Sequence, residues 1–170
     1  MTKSATKGQP RERYQAMSAD LDELLTTGLD DVAAMATFTA VVHQGLEKAS
    51  WTGFYRVVAP GLLRIGPYQG PVGCLEIPFD RGVCGAAARE RRSQLVDDVH
   101  RFPDHIACDP ASRSEVVVPV LDAVGELVAV LDVDSHELAA FDDVDVEELE
   151  GLVAKLAPFF GSARIFEKTL

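Results

Sequence analysis

A chain of 170 residues is the size of one ordinary domain, long enough to bury a core without disulfides or metals to staple it. Hydrophobic residues at 47% against 25% charged exclude a disordered polymer, and 16 basic against 27 acidic residues leave a net charge of −11. Such a surface repels nucleic acid and anionic membrane, and no run approaches the ~20 apolar residues that span a bilayer.

In chain order, residues 1–12 are polar, carry Pro10 and lack the apolar core of a secretory signal. They are expected to form a flexible arm ahead of a single cytoplasmic domain over residues 13–165. A helix is predicted over 14–25 and a stronger one over 30–48. Asp30 caps the second helix, while Met35, Phe38, Val42 and Leu46 recur at helical steps. Residues 51–58 and 62–68 read as two strands joined by a Pro60-Gly61 turn. A Gly- and Pro-rich loop is expected over 66–82, then a short alanine-rich helix over 84–90 and a short strand over 93–96. Residues 100–114 hold Pro103 and Pro110 and show no period; long loops inside compact domains are usually functional. Two β-rich runs, 115–121 and 126–134, flank Asp122-Ala-Val-Gly125, a hairpin signal. Pro119 implies that the first of them lies at an edge or is bulged. A final helix begins at Asp142, with an apolar stripe of Leu149, Leu152, Val153, Leu156 and Phe160. Helices, a meander of strands and a closing helix make an α+β fold around an antiparallel sheet.

The hairpin brings three acids together. A turn at 122–125 sets Glu115 opposite Asp132, and closing it by two residues sets Glu115 opposite Asp134. Either way Glu115, Asp132 and Asp134 share a face, because side chains alternate with period two; a three- or five-residue loop would reverse that parity. Leu127, Ala129, Leu131 and Val133 fall on the other face, as core. Opposed like charges destabilise a sheet, so such a trio is either a solvated face of an acidic protein or a site for a cation or a shared proton. Mutual repulsion would keep one of its carboxyl groups neutral near pH 7.

Cys74, Cys84 and Cys108 lie in or beside loops rather than in apolar periodic runs. An odd number of cysteines does not suit a disulfide framework, and each alone is as well explained as a buried apolar residue. Cys84 sits between Gly82 and Gly85 where a helix should begin, a setting that lowers a thiol's pKa. Cys108 precedes Glu115 by seven residues, in the long loop. His100, His105 and Cys108 match no common zinc spacing, so no metal is expected. His43, on a helix, reads as structural or surface.

The segments WTGFY (51–55), GPYQG (66–70), IPFDRGVCG (77–85), VDDVHRFPDHIACD (96–109), SRSE (112–115) and LDVDS (131–135), with cysteines spaced by 10 and 24 residues, resemble the free methionine-R-sulfoxide reductases, a branch of the GAF-domain fold. The resemblance implies a GAF-like domain with a six-stranded antiparallel sheet, helices packed on it and a small closed pocket. It implies Cys108 as nucleophile, Cys74 as the preferred resolving thiol, and Cys84 as a second thiol near the pocket that can also form a disulfide. Glu115, Asp132 and Asp134 would bind the substrate, free methionine-R-sulfoxide, and Trp51 would contact its methylsulfinyl end. Trp51 is equally readable as a half-buried strand aromatic. No cofactor is implied beyond an external dithiol reductant of the thioredoxin kind, and a homodimer is compatible.

Three acids should raise the pKa of Cys108; Arg113, His105 or a substrate ammonium are candidates to offset them. A GAF sensory module or a cysteine redox sensor is the competing class of function, although sensor modules usually adjoin an output domain for which this length leaves no room.

Overall fold

The computed structural model describes residues 11–160. Its frame is a sheet built from β1 (Trp51–Ala59), β2 (Leu62–Gln69), β3 (Glu76–Pro78), β4 (Gln94–Val96), β5 (Ser114–Leu121) and β6 (Leu127–Ser135). All neighbours are antiparallel, in the order β3-β2-β1-β6-β5-β4. Six strands are the number the resemblance implied, and five of them are those read from the sequence. β3, however, lies inside the stretch read as loop: three residues are too few to show alternation, and pairing with Leu62–Arg64 is what makes them a strand.

One face of this sheet is covered by α1 (Arg11–Leu24), α2 (Asp31–Gly45) and α4 (Asp143–Ala154). Phe38 of α2 meets Phe54 of β1 edge-on, with ring centroids 5.4 Å apart, and Val116, Val118, Leu131 and Val133 fill the space around them. Burial of each such side chain contributes about 1.5–3 kcal/mol. The starts of α2 and α4 are fixed as the sequence foretold. Asp30 accepts from the Ala33 N–H (2.7 Å), and Asp142 accepts from Val144 and Asp145, whose own carboxylate reaches back to the Asp142 N–H. Asp145 also accepts the Tyr14 hydroxyl at 2.7 Å, tying α1 to α4.

Three boundaries differ from expectation. Arg11 and Glu12 open α1 rather than belonging to an arm, and the remainder of the proposed arm, like residues 161–165, lies outside the described residues. α2 stops at Gly45, short of Lys48. α4 stops at Ala154, and Phe160 belongs to a separate 3-10 turn, Ala157–Phe160, because Pro158 cannot continue the helical hydrogen bonding.

The other face carries α3 (Gly82–Glu90), the β2–β3 connection and the loop between β4 and β5. Pro119 is not on an edge strand of the sheet. β4 pairs only with Glu115–Val117, so beyond Val117 the outer side of β5 is locally unpaired, and a proline is tolerated there.

The β5–β6 hairpin decides the site. Leu121 pairs with Leu127 across five residues, a loop length that by itself would put the acids on the wrong face. Val120 pairs with Ala129, so Val128 is an extra residue, and this bulge restores the parity. Glu115 therefore stands opposite Asp134. The bulge also turns Leu127 away from Ala129, Leu131 and Val133 into the second core, correcting its expected placement. Asp122 holds the turn by accepting from Val124 and Glu126, with Gly125 at φ +84°, where a side chain would be strained.

Candidate active site

Direct cross-strand pairs share a face, so the ladder itself assembles the site. Trp51 and Glu115 flank Asp134 on either side, and Gly53 and Val117 flank Asp132. Carboxylate oxygens of Glu115, Asp132 and Asp134 lie within 4.8 Å of one another. Glu115 and Asp132 are buried, and Asp132 Oδ1 has no hydrogen-bond partner. The sequence-derived trio is real, and it is not a solvated face.

Above the acids is a cavity of about 40 Å³, walled by Trp51, Tyr55, Gly73, Ile77, Cys84, His105, Ile106, Cys108, Asp109, Ser112 and the trio. Its roof is covalent. Cys74, in the β2–β3 connection, is bonded to Cys108, in the long loop, with Cα atoms 5.1 Å apart across 34 residues. Cys84 is a free, buried thiol in the first turn of α3. All seven candidate residues thus border one cavity or close it.

Trp51 lies between Tyr55 and Tyr68 with ring centroids 5.7 and 5.4 Å away, and its indole N–H donates to Pro71 O at 3.0 Å. That bond pins the segment carrying Cys74. The ring can lie flat only because residue 53 has no side chain. A Cβ there would stand 2.4 Å from the Tyr68 Cβ and 2.7 Å from the tip of the Trp51 ring. Gly53→Ala is therefore expected to cost about 1–3 kcal/mol of stability. It should also shift the fluorescence of Trp51, the chain's only tryptophan, in the native state. An unchanged denaturation midpoint and emission spectrum would show that the wall does not depend on this glycine.

Burial is the largest influence on the acids. It pushes Glu115 and Asp132 well above the usual carboxylate range, and their acidic neighbours add to the effect. Asp134 rises from 3.8 to about 6; Asp109 adds to its burial, while Ser112 and His136 oppose it. The Ser112 hydroxyl acts by proximity, since it closes no well-aligned hydrogen bond. Burial and mutual repulsion thus both favour the protonated forms of the trio, the direction the sequence implied for at least one member.

The same burial has a cost. Between about pH 4 and 6 the folded chain holds a proton on Asp134 that the unfolded chain has lost, so this group's contribution to stability falls as pH rises. Asp134→Asn should raise Tm at pH 7 by a few degrees, at about 2–4 °C per kcal/mol, with the gain vanishing below about pH 4. Calorimetry of both proteins across that range checks it. A variant less stable than the parent at pH 7 would overturn this account of the trio.

Two expectations are corrected. The helix start was expected to lower the Cys84 pKa; burial, followed by Asp132 and Glu115, instead pushes it well above the ordinary thiol value. Desolvation in an acidic pocket outweighs the partial charge of a nine-residue helix. Nor do two of the candidate counter-charges serve. Arg113 is exposed and outside the cavity wall. His105 Nε2 is 3.9 Å from Glu115 Oε2, but burial and then His100 lower its pKa, leaving it uncharged at pH 7. Neutral carboxyls reduce the need for either. His43 lies on α2 with Nδ1 3.1 Å from Thr52 Oγ1, where a structural role was expected.

Sequence reading missed Tyr55, Asp109, Ser112 and His136. Tyr55 was findable, four residues after Trp51 and hence on its face. Asp109 accepts from the Ala111 N–H at 2.9 Å and lies 3.0 Å from His136 Nε2, binding the Cys108 loop to the end of β6. No local pattern announces that contact.

Comparison with known proteins agrees with this geometry. The family model for the GAF domain matches residues 18–159. The Escherichia coli protein named free methionine-R-sulfoxide reductase is 38% identical over 145 residues, covering 85% of this chain and 87% of that one. The Neisseria meningitidis free methionine-R-sulfoxide reductase, solved with its substrate, superposes with a TM-score of 0.81 at 36% identity, covering 92% and 94% of the two chains. A structure described as a putative GAF sensor protein from Burkholderia vietnamiensis is similar at 41% identity and TM-score 0.83, covering 91% and 96%. On this sequence likeness and shared architecture, the chain belongs to the GAF-domain family, in its free methionine-R-sulfoxide reductase branch.

Proposed function

We propose that this protein reduces free methionine-R-sulfoxide to methionine, with Cys108 as nucleophile and Cys74 as resolving thiol. The observation that carries the reading is the Cys74–Cys108 disulfide closing a cavity walled by three protonatable acids. A sulfoxide sulfur becomes electrophilic when its oxygen accepts a proton, and a neutral Glu115 or Asp132 supplies one. The Cys108 thiolate attacks that sulfur. In the adduct the oxygen passes from the methionine sulfur to Cys108 as the S–O bond and the transient S–S bond break; methionine leaves as the thioether with the electron pair, and Cys108 is left as a sulfenic acid. Cys74 then displaces that oxygen as water, giving the disulfide. An external dithiol of the thioredoxin kind returns both cysteines to thiols by exchange and ends as a disulfide itself. No resident cofactor enters the cycle, and the reductant requirement fits a reducing, cytoplasmic setting.

Specificity follows from charge. An amino acid's ammonium can enter an acidic cavity and convert neutral carboxyls to paired carboxylates, whereas a peptide-bound methionine has no ammonium to offer. Trp51 supplies the apolar wall for methyl and sulfur. With the disulfide formed the cavity has room for only a few waters, so methionine leaves before or as the disulfide closes.

Dithiothreitol-dependent formation of methionine from each epimer of free methionine sulfoxide tests the reading. The R epimer alone should react. No turnover with either epimer would sink it and favour a sensor.

A further inference from the structure

The disulfide is bordered on its outer side by apolar residues, with Asp109, next to Cys108, as the nearest charge. Val72 and Leu75, two and one residues from Cys74, are 76% and 69% exposed, and exposed Pro71, Ala107 and Pro110 continue the apolar surface on both loops. In a chain of net charge −11, residues 70–75 and 106–108 carry no charge. Val72 also lines the cavity, whereas Leu75 does not; large exposed apolar side chains of this kind mark contact surfaces. What must approach here is defined by the bond at the centre, since a disulfide returns to thiols only by attack along the S–S axis.

We infer that Val72 and Leu75 form the docking surface for a dithiol oxidoreductase, which attacks Cys74 and expels Cys108 into the cavity. The inference rests on the reductase reading for its biological purpose but is measured on the disulfide alone. A partner thiolate bonds to Cys74 Sγ as the Cys74–Cys108 bond breaks, and Cys108 leaves with the electron pair. It takes up the proton given up by the partner's thiol. The partner's second thiol then breaks the mixed disulfide, releasing Cys74 as a thiol and leaving the partner oxidised by two electrons.

The direction of attack has a structural reason. Exchange is faster when the departing sulfur is stabilised. Cys108 departs toward the cavity it shares with Glu115 and Asp132, buried carboxyls within reach of the departing sulfur whose protonated forms burial favours. Attack at Cys108 would instead expel Cys74 from a wall segment that holds no acid between residues 70 and 75. A small apolar contact also suits the brief encounters of redox partners, which bury little surface.

The test uses the full, oxidised chain and thioredoxin with its reductase. Leu75→Asp should slow thioredoxin-dependent reduction of the disulfide about tenfold or more while leaving reduction by dithiothreitol unchanged; Val124→Asp, an even more exposed residue at the β5–β6 turn, should change neither. Thioredoxin lacking its second cysteine should be trapped on Cys74, as read by peptide mapping. An unaffected thioredoxin rate in Leu75→Asp, or a mixed disulfide on Cys108, overturns the inference. Failure of the reductase reading looks different: the disulfide would exchange normally while methionine sulfoxide goes unreduced.

Discussion

Cys108→Ser is expected to abolish methionine release even in a single turnover, with a loss on the order of 10⁴-fold or more, the scale on which removal of a nucleophile is felt. The reason lies in the chemistry of the attacking atom. A serine hydroxyl is not ionised at neutral pH and attacks sulfur poorly, whereas Cys108 faces the cavity from a loop held by the Asp109–His136 pair. The variant should still fold, because the trio, Trp51 and both cores are untouched by the change. Rapid-quench measurement with pre-reduced protein and the R epimer gives the answer. Retained single-turnover release would remove Cys108 from the nucleophile's role and pass it to Cys74.

Cys74→Ser should behave differently. Attack and methionine release need only Cys108, so about one equivalent of methionine per chain should form and thioredoxin-driven recycling should then stop. The sulfenic acid left on Cys108 should be trappable with dimedone. The third thiol could in principle replace Cys74, and its burial decides against that. Cys84 is buried in the cavity wall with its pKa pushed well above the ordinary value, so little thiolate is present at pH 7 to attack a sulfenic sulfur. Continued recycling in Cys74→Ser, with a Cys84–Cys108 disulfide found by mapping, would contradict this.

The two variants also separate an enzyme from a redox sensor. A sensor requires the Cys74–Cys108 bond to form but not methionine to leave. Substoichiometric methionine in the parent protein, with normal disulfide formation under peroxide, would therefore favour sensing.

Much of the architecture was legible because the elements are long and periodic. The spacing of Met35, Phe38 and Val42 defines α2, and Asp30 and Asp142 mark helix starts through a side-chain oxygen that only a few residue types can offer. β3 was illegible because three residues carry no period, and the end of α4 was overrun because Leu156 and Phe160 continue the stripe past the point where Pro158 breaks the backbone pattern. Within the site, Cys84 shows the limit of local reasoning. Its place at a helix start is written in the chain, but the burial and the acids that reverse its acidity are brought by the fold, Glu115 and Asp132 from two other strands.

What the sequence by itself determined is the composition of the site: two thiols in loops and one at a helix start, three acids on two paired strands, an aromatic on a third, and a charge that turns polyanions away. Tertiary structure decided which of these meet, and in what protonation state. The five-residue turn after Leu121 would have turned the acids outward, and the bulge at Val128 turned them back. Loop closure joined Cys74 to Cys108 across 34 residues, and the shared lid of α3 and two loops dried the trio enough to keep protons on it. Period and propensity act over a few residues, whereas register, burial and dielectric belong to the assembled sheet.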